Sequence, residues 1–379
     1  MIPLSVPNIS GNEWTYIKEC LDTNWVSSVG SYVTKFEKTL AEYTGAKYAV
    51  ATSNGTAALH ISLQLAGVER GDLVVIPNIT FVATANAVKY TGADPVMIDI
   101  DTNTWQMDLG LLEEFLQTHT EIREGFSFHK KLNRRISAIV PVHVLGNMCD
   151  MDQFILIAQK YRLTIVEDST EALGSKFRGK HAGTFGLFGT SSFNGNKIIS
   201  TGGGGMILTN DEELAAKAKH LTTQAKADPN EYYHDETGYN YRLVNILAAM
   251  GVAQMEQLDA FIKRKREVAQ MYRTALSFIE GFKTQEVIEG VEPNHWLFTA
   301  KVPQKEGLIA HLKSKGVEAR SFWVPMNRLP MMTKDLYFTH NDISQDVYQA
   351  CVSLPCSTSI KDDEVNQVIQ FVKDFYSGL

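Results

Sequence analysis

The first two thirds of the chain carry short β-prone runs, most of them apolar throughout rather than alternating with polar residues. They fall at residues 48–51, 73–76, 95–98, 136–140, 163–166, 189–193 and 206–208. Between many of them, at 56–65, 82–90 and 151–161, apolar positions recur at helical intervals. Strands buried on both faces and alternating with helices predict a mostly parallel sheet covered on both sides. Seven such strands predict an α/β/α sandwich. Sheets of this kind bind ligands at the carboxyl ends of their strands, where Asn54, Phe81, Asp168 and Ser192 fall.

From Leu243 the pattern changes. Residues 243–276 read as one long helical region or two abutting helices, with Ile246, Met250, Val252, Met255 and Leu258 at helical spacing. A strand is expected at 296–302 and helices at 309–315 and 363–375. The division is therefore a large α/β domain over 1–255 and a smaller α+β domain over 256–379. No Pro/Gly-rich linker separates them, so they are expected to pack firmly.

Composition narrows the class of partner. A chain of 379 residues, 44% hydrophobic and 21% charged, fits a folded soluble protein. Its formal charge of −7 argues against nucleic acid or an anionic membrane as main partner. The basic runs His129-Lys130-Lys131 with Arg134-Arg135, and Lys263-Arg264-Lys265-Arg266, read as a solvated loop and the wet face of a helix. No stretch approaches the roughly 18 apolar residues that span a bilayer, and Met1-Ile2-Pro3-Leu4-Ser5 lacks the basic and apolar regions of a secretory signal. Cys20, Cys149, Cys351 and Cys356 form no CxxC pair and no zinc-ligand spacing, so reduced thiols, a cytoplasmic setting and no metal are expected.

The most informative segment is Ser191-Ser192-Phe193-Asn194-Gly195-Asn196-Lys197, followed by Ile198 and then Gly202-Gly203-Gly204-Gly205. One lysine enclosed by small residues suits an amine that meets a flat ligand closely. A phosphate loop would need GxxxxGK[ST], but Asn196 stands between Gly195 and Lys197 and Ile198 follows the lysine. Upstream, the apolar run 163–166 leads through Glu167 to Asp168. An amine for the aldehyde and an anion for the pyridine nitrogen are what pyridoxal 5'-phosphate (PLP) chemistry requires. Asn54-Gly55-Thr56-Ala57 opens a helix whose free N–H groups suit a phosphate. Phe81 is placed to stack on a ring.

With these residues assembled, the chain resembles the DegT-type sugar-nucleotide aminotransferases, PLP enzymes of the aspartate aminotransferase fold (fold type I), nearly from end to end. The resemblance runs through Gly11-Asn12-Glu13, Trp25-Val26-Ser27-Ser28-Val29-Gly30, Asn54-Gly55-Thr56-Ala57-Ala58-Leu59-His60, His143-Val144-Leu145-Gly146, Glu167-Asp168, Asn194-Gly195-Asn196-Lys197 and Gly238-Tyr239-Asn240-Tyr241-Arg242. It implies that Lys197 binds the cofactor aldehyde and then shuttles the proton. Asp168 is implied to pair with the ring nitrogen, Glu171 to lie beside the ring hydroxyl and Phe81 to stack on the ring. Gly55, Thr56, Ala57 and Ser192 are implied to hold the phosphate. Asn240 is implied to reach the phosphate of a neighbouring subunit, which gives a homodimer with shared active sites. Trp25, Ser27, Tyr241, Arg320 and Asn327 are implied candidates for contacts to the nucleotide sugar or L-glutamate.

Within the family, the likeness is to enzymes that aminate C4 of UDP-2-acetamido-2,6-dideoxy-4-ketohexose. It rests on Tyr239-Asn240-Tyr241-Arg242, Val252-Ala253-Gln254-Met255-Glu256, Asn294-His295-Trp296-Leu297 and Gly203, where many members carry glutamate. GDP-perosamine synthases, acting on a GDP-4-keto-6-deoxymannose, are nearly as similar. Asn327 stands where relatives often have histidine, and Ser169-Thr170 replaces a small apolar pair. A related 3-dehydrase would need histidine in place of Lys197, a dinucleotide-dependent dehydrogenase would need GxGxxG, and a regulatory protein could keep the cofactor without turnover.

Overall fold

The computed structural model describes residues 1–228 and 230–378. Its central sheet runs in the order Tyr48–Thr52, Gly205–Thr209, Phe188–Ser192, Thr164–Asp168, Arg134–Ile139, Leu73–Pro77, Asp94–Ile98, Leu336–Phe338. All neighbours are parallel except that Gly205–Thr209 is antiparallel to both of its own. The seven expected strands are all present. Three more bring the sheet to ten: the Leu336–Phe338 edge, and the hairpin of Thr120–Arg123 with Phe126–His129, which attaches antiparallel to Arg134–Ile139.

Alternate residues of a strand feed separate cores, as a doubly covered sheet requires. In Leu73–Pro77, Val74 and Ile76 join one cluster while Leu73 and Val75 join the other, and all four are fully buried. The helix Gly55–Leu65 starts where the Asn54 side chain accepts the Ala57 N–H at 2.8 Å. Asp150 caps Met151–Lys160 in the same way.

The region 243–276 resolves into two helices, Asn245–Met255 and Leu258–Leu276. The second contributes Leu258, Phe261 and Ile262 to the large core, and Val268, Ala269, Tyr272 and Leu276 to a third core. That third core lies under an antiparallel sheet ordered Lys283–Thr284, Phe298–Lys301, Cys351–Leu354, Arg320–Ser321. Helices Lys305–Ser314 and Asp362–Ser377 pack on it too.

Two expectations are corrected. The first basic run is not a solvated loop: His129 ends the strand Phe126–His129 and is 4% exposed, while Arg134 and Arg135 open the strand Arg134–Ile139 and pair with Asp94 and Asp72. Lys265 is not on a wet face: it is 2% exposed, and its ammonium donates to the Trp296 carbonyl at 2.7 Å. A helix longer than its exposed stripe turns some of its basic residues inward, and single-letter charge runs hide that turn. All four cysteines are buried and unbridged. Among the described residues no helix is long and apolar enough to cross a membrane.

Candidate active site

The reactive loop hangs between two antiparallel strands. Phe188–Ser192 ends at Ser192, and Gly205–Thr209 returns beside it. In between, the Phe193 N–H donates to the Gly204 carbonyl and the Thr201 N–H to the Phe193 carbonyl, both at 2.9 Å. The Lys197 N–H donates to the Asn194 carbonyl at 3.0 Å. The glycine run serves unequal needs. Gly202 has φ +79°, a conformation other residues adopt at a cost. A Cβ at Gly205 would lie 2.4 Å from the Asn54 backbone, so only glycine lets this strand reach the start of the Gly55–Leu65 helix. A Cβ at Gly203 would meet nothing nearer than the Ser53 carbonyl at 3.9 Å.

This closure brings Lys197, Asp168 and Glu171 into one cavity of about 520 Å³, together with Gly55, Thr56, Phe81, Ser192 and Arg320. Asp168 is the last residue of its strand and 4% exposed. Its carboxylate accepts the Thr84 hydroxyl on one oxygen and the Thr170 hydroxyl on the other, each at 2.7 Å. Thr84 in turn contacts the Thr80 hydroxyl at 2.8 Å. Glu171 accepts the Leu145 N–H at 2.8 Å, which the left-handed turn at Leu145 (φ 61°) points inward. Its other oxygen stands 3.9 Å from the Lys197 amine.

Burial governs both members of that pair. It pushes the Glu171 carboxyl up to about 7, against the nearby Lys197 charge and the Leu145 donor, which favour the ionised form. Burial also holds Lys197 below the ordinary lysine range, against the opposing pull of Glu171 and Asp168. The amine is thus closer to its free-base form than a surface lysine, as proton transfer or attack on a carbonyl requires.

These groups fit PLP. The set offers an amine, a carboxylate at a strand end, and a helix start open to an anion. The opening is built by absence: a Cβ at Gly55 would come 2.8 Å from the Ser192 Cβ, so glycine keeps the helix N-terminus clear beside Ser192 and Thr56. Ala57 departs from its expected role. Its N–H is already donated to Asn54, and it does not line the cavity.

The expected substrate contacts divide. Arg320 lines the cavity, where its guanidinium is paired with Glu318. Trp25 is 55% exposed and borders a separate cavity of about 720 Å³, beside Arg242 and Asn245. The Ser27 carbonyl accepts the Asn245 N–H. Tyr241 stacks on Tyr239 with ring centroids 5.1 Å apart, and Asn240 bridges to Thr223. Asn327 exchanges two hydrogen bonds with the fully buried Asn78, both at 3.0 Å. None of these last five lines the Lys197 cavity. A larger cavity of about 970 Å³ lies along the Leu258–Leu276 helix and is lined by different residues, among them Lys263, Arg266 and Met271.

Three contributors escaped sequence reasoning. Thr84 and Thr170 grip Asp168, and a threonine gives no sign of its partner before folding. Ser169 is explained as well: its hydroxyl donates to the Thr190 carbonyl at 2.7 Å. Trp296, placed in a strand from sequence, instead precedes the strand and sets its ring 3.9 Å from the Lys197 amine. The segment Asn294-His295-Trp296-Leu297 carried part of the family likeness, but nothing in it pointed to contact with Lys197.

Comparisons with known proteins identify the family. The family model described as the DegT/DnrJ/EryC1/StrS aminotransferase family matches residues 7–373. A GDP-perosamine synthase of Escherichia coli O157:H7 is 38% identical, covering 99% of this chain and 99% of that protein. A GDP-perosamine synthase of Caulobacter vibrioides is 36% identical over 97% of this chain and 96% of its own. The crystal structure of the aminotransferase TlmJ from Streptoalloteichus hindustanus superposes with a TM-score of 0.90 at 26% identity, covering 100% of this chain and 99% of that one.

Proposed function

The chain belongs to the DegT/DnrJ/EryC1/StrS aminotransferase family and is a PLP-dependent sugar aminotransferase of fold type I; from that premise we propose that it transfers the amino group of L-glutamate to C4 of a nucleotide-linked 4-keto-6-deoxy sugar. The observation that carries the reading is the meeting of Lys197, Asp168 and Glu171 at a glycine-opened helix start.

When bound, PLP supplies an aldehyde for amine exchange and a ring that draws electrons from the carbon being deprotonated. The chain does the rest. Lys197 Nζ holds and moves the proton at the donor's α-carbon and later at the sugar's C4. Asp168, fixed in orientation by two hydroxyl donors, would hold the ring nitrogen. Glu171, poised near neutrality, can donate to or accept from the ring hydroxyl. Gly55, Thr56 and Ser192 would hold the phosphate, and Phe81 would pack on the ring. Arg320 receives a donor carboxylate after releasing Glu318. Asn240, Tyr241, Trp25 and Ser27 lie outside this chain's own cavity, and we assign them to the site of a second copy in a homodimer.

Two sugars remain in play, each with its own support. Gly203, a glycine where many members carry glutamate and where a Cβ would meet only the Ser53 carbonyl at 3.9 Å, is the support for UDP-2-acetamido-2,6-dideoxy-4-ketohexose, although Gly203 does not itself line the Lys197 cavity. Similarity to the two GDP-perosamine synthases supports a GDP-4-keto-6-deoxymannose equally well. Incubating the holoenzyme with glutamate and each 4-keto sugar, with mass spectrometry of the products, separates them. Glutamate should bleach the cofactor band and one sugar should gain an amine. Failure of glutamate to change the band would overturn the donor assignment, and amination of neither sugar would overturn the acceptor class.

A further inference from the structure

Trp296 is 3% exposed and its ring centroid lies 3.9 Å from the Lys197 amine. An aromatic face at that distance attracts an ammonium and offers it no hydrogen-bond acceptor. Trp296 is held at three points, one on its indole and two on its backbone. Its indole N–H donates to the carbonyl of Asn196, the residue preceding the lysine, at 2.7 Å. Its own carbonyl receives the buried Lys265 ammonium at 2.7 Å. Its backbone N–H donates to the Asn294 side chain at 2.8 Å. Trp323 stacks behind it, with centroids 6.3 Å apart.

We propose that Trp296 is a further catalytic residue, a seat for the Lys197 ammonium between proton transfers, and that Lys265 is the positioning residue that holds this seat from the small-domain side. The inference deepens the reading of Lys197 as the reacting amine and rests on it. A lysine released from the cofactor must stay beside the reacting carbon while two substrates come and go. Glu171, 3.9 Å away, offers one resting point; alone it would draw the amine into an ion pair. The ring supplies a second attraction from another direction and excludes water on its side. The other charged groups that face the cavity are Asp168, Glu318 and Arg320. A buried lysine is costly to keep, and among the described residues the Lys265 amine hydrogen-bonds only to the Trp296 carbonyl and the Cys356 thiol, the latter at 3.7 Å. Holding Trp296 is therefore its evident task.

The test measures how readily Lys197 is acylated in cofactor-free protein as pH rises, quantified by peptide mass spectrometry. Removing the ring removes a preference for the charged form, so Trp296→Leu should lower the labelling midpoint by about 0.5–1 pH unit. Trp296→Phe, which keeps an aromatic face, should restore most of the midpoint. Lys265→Met should lower it less and reduce kcat about tenfold with the KM for glutamate nearly unchanged. Equal midpoints in wild type, Phe and Leu variants would overturn the proposal. If Trp296→Leu fails to fold, Lys265→Met decides by the same measurement: an unmoved midpoint sinks the idea. Borohydride reduction of the holoenzyme isolates the parent reading, since absence of cofactor mass on the Lys197 peptide would refute that reading whatever Trp296 does.

Discussion

The two ends of the Lys197 cavity are built differently. At the floor, Asp168, Glu171 and Lys197 are each set by contacts within the chain, down to the hydroxyls that hold Asp168. At the rim, Arg320 is paired with Glu318, while the other expected substrate contacts lie outside the cavity: Asn327 is bonded to Asn78, Asn240 bridges to Thr223 and Tyr241 stacks on Tyr239. The floor is complete as it stands. On the proposed reading, the rim would have to change partners, or receive another copy, before gripping a substrate. Chemistry common to both half-reactions is thus fixed in the large sheet, while recognition of two unlike substrates is left to groups that can be re-paired.

Substitutions can break this contrast. Lys197→Ala should have the largest effect, lowering turnover by about 10⁴-fold or more and leaving no borohydride-stable cofactor label, since both proton transfers use that amine. Asp168→Asn should lower kcat by about 10²–10³-fold while thermal unfolding shifts little, because the strand-end fold and its hydroxyl neighbours remain. Glu171 supplies a pH test. Its folded-state carboxyl titrates near 7, above its ordinary 4.5, so the folded protein keeps a proton that the unfolded chain gives up. Stability of the cofactor-free protein should therefore fall as pH rises from about 4.5 to about 7, and Glu171→Gln should flatten that slope by a few degrees in Tm. At the rim, Asn327→Ala should change the sugar KM by no more than about twofold, with a small loss of stability from the orphaned Asn78. A tenfold rise in KM would place Asn327 in the site and erase the contrast between floor and rim.

Much of the floor was legible because its signals are local. Unbroken apolar runs marked the buried strands, and the residues that follow such strands marked the ligand edge. Lys197 stood out through its small neighbours. The rest depended on partners far away in the chain. Leu336–Phe338 is three residues long and carries no alternation, so nothing marks it as an edge strand. Thr120–Arg123 is exposed at three of four positions, and its polarity hid a hairpin. The break between Met255 and Leu258 has neither glycine nor proline to announce it. Lys265 and Trp296 were misplaced for one reason: a basic run and a strand-prone run were each assigned a uniform environment.

The edge strand has a consequence for biogenesis. Leu336 pairs beside Val96, some 240 residues earlier. While a ribosome is still making the middle of the chain, the apolar Asp94–Ile98 strand has no neighbour on that side and stands as an open template for intermolecular pairing. Maturation of this enzyme is thus exposed to aggregation until nearly the last segment emerges, and truncation just before residue 336 should yield insoluble protein even though every group on the cavity floor, and Trp323 beside Trp296, would already be encoded.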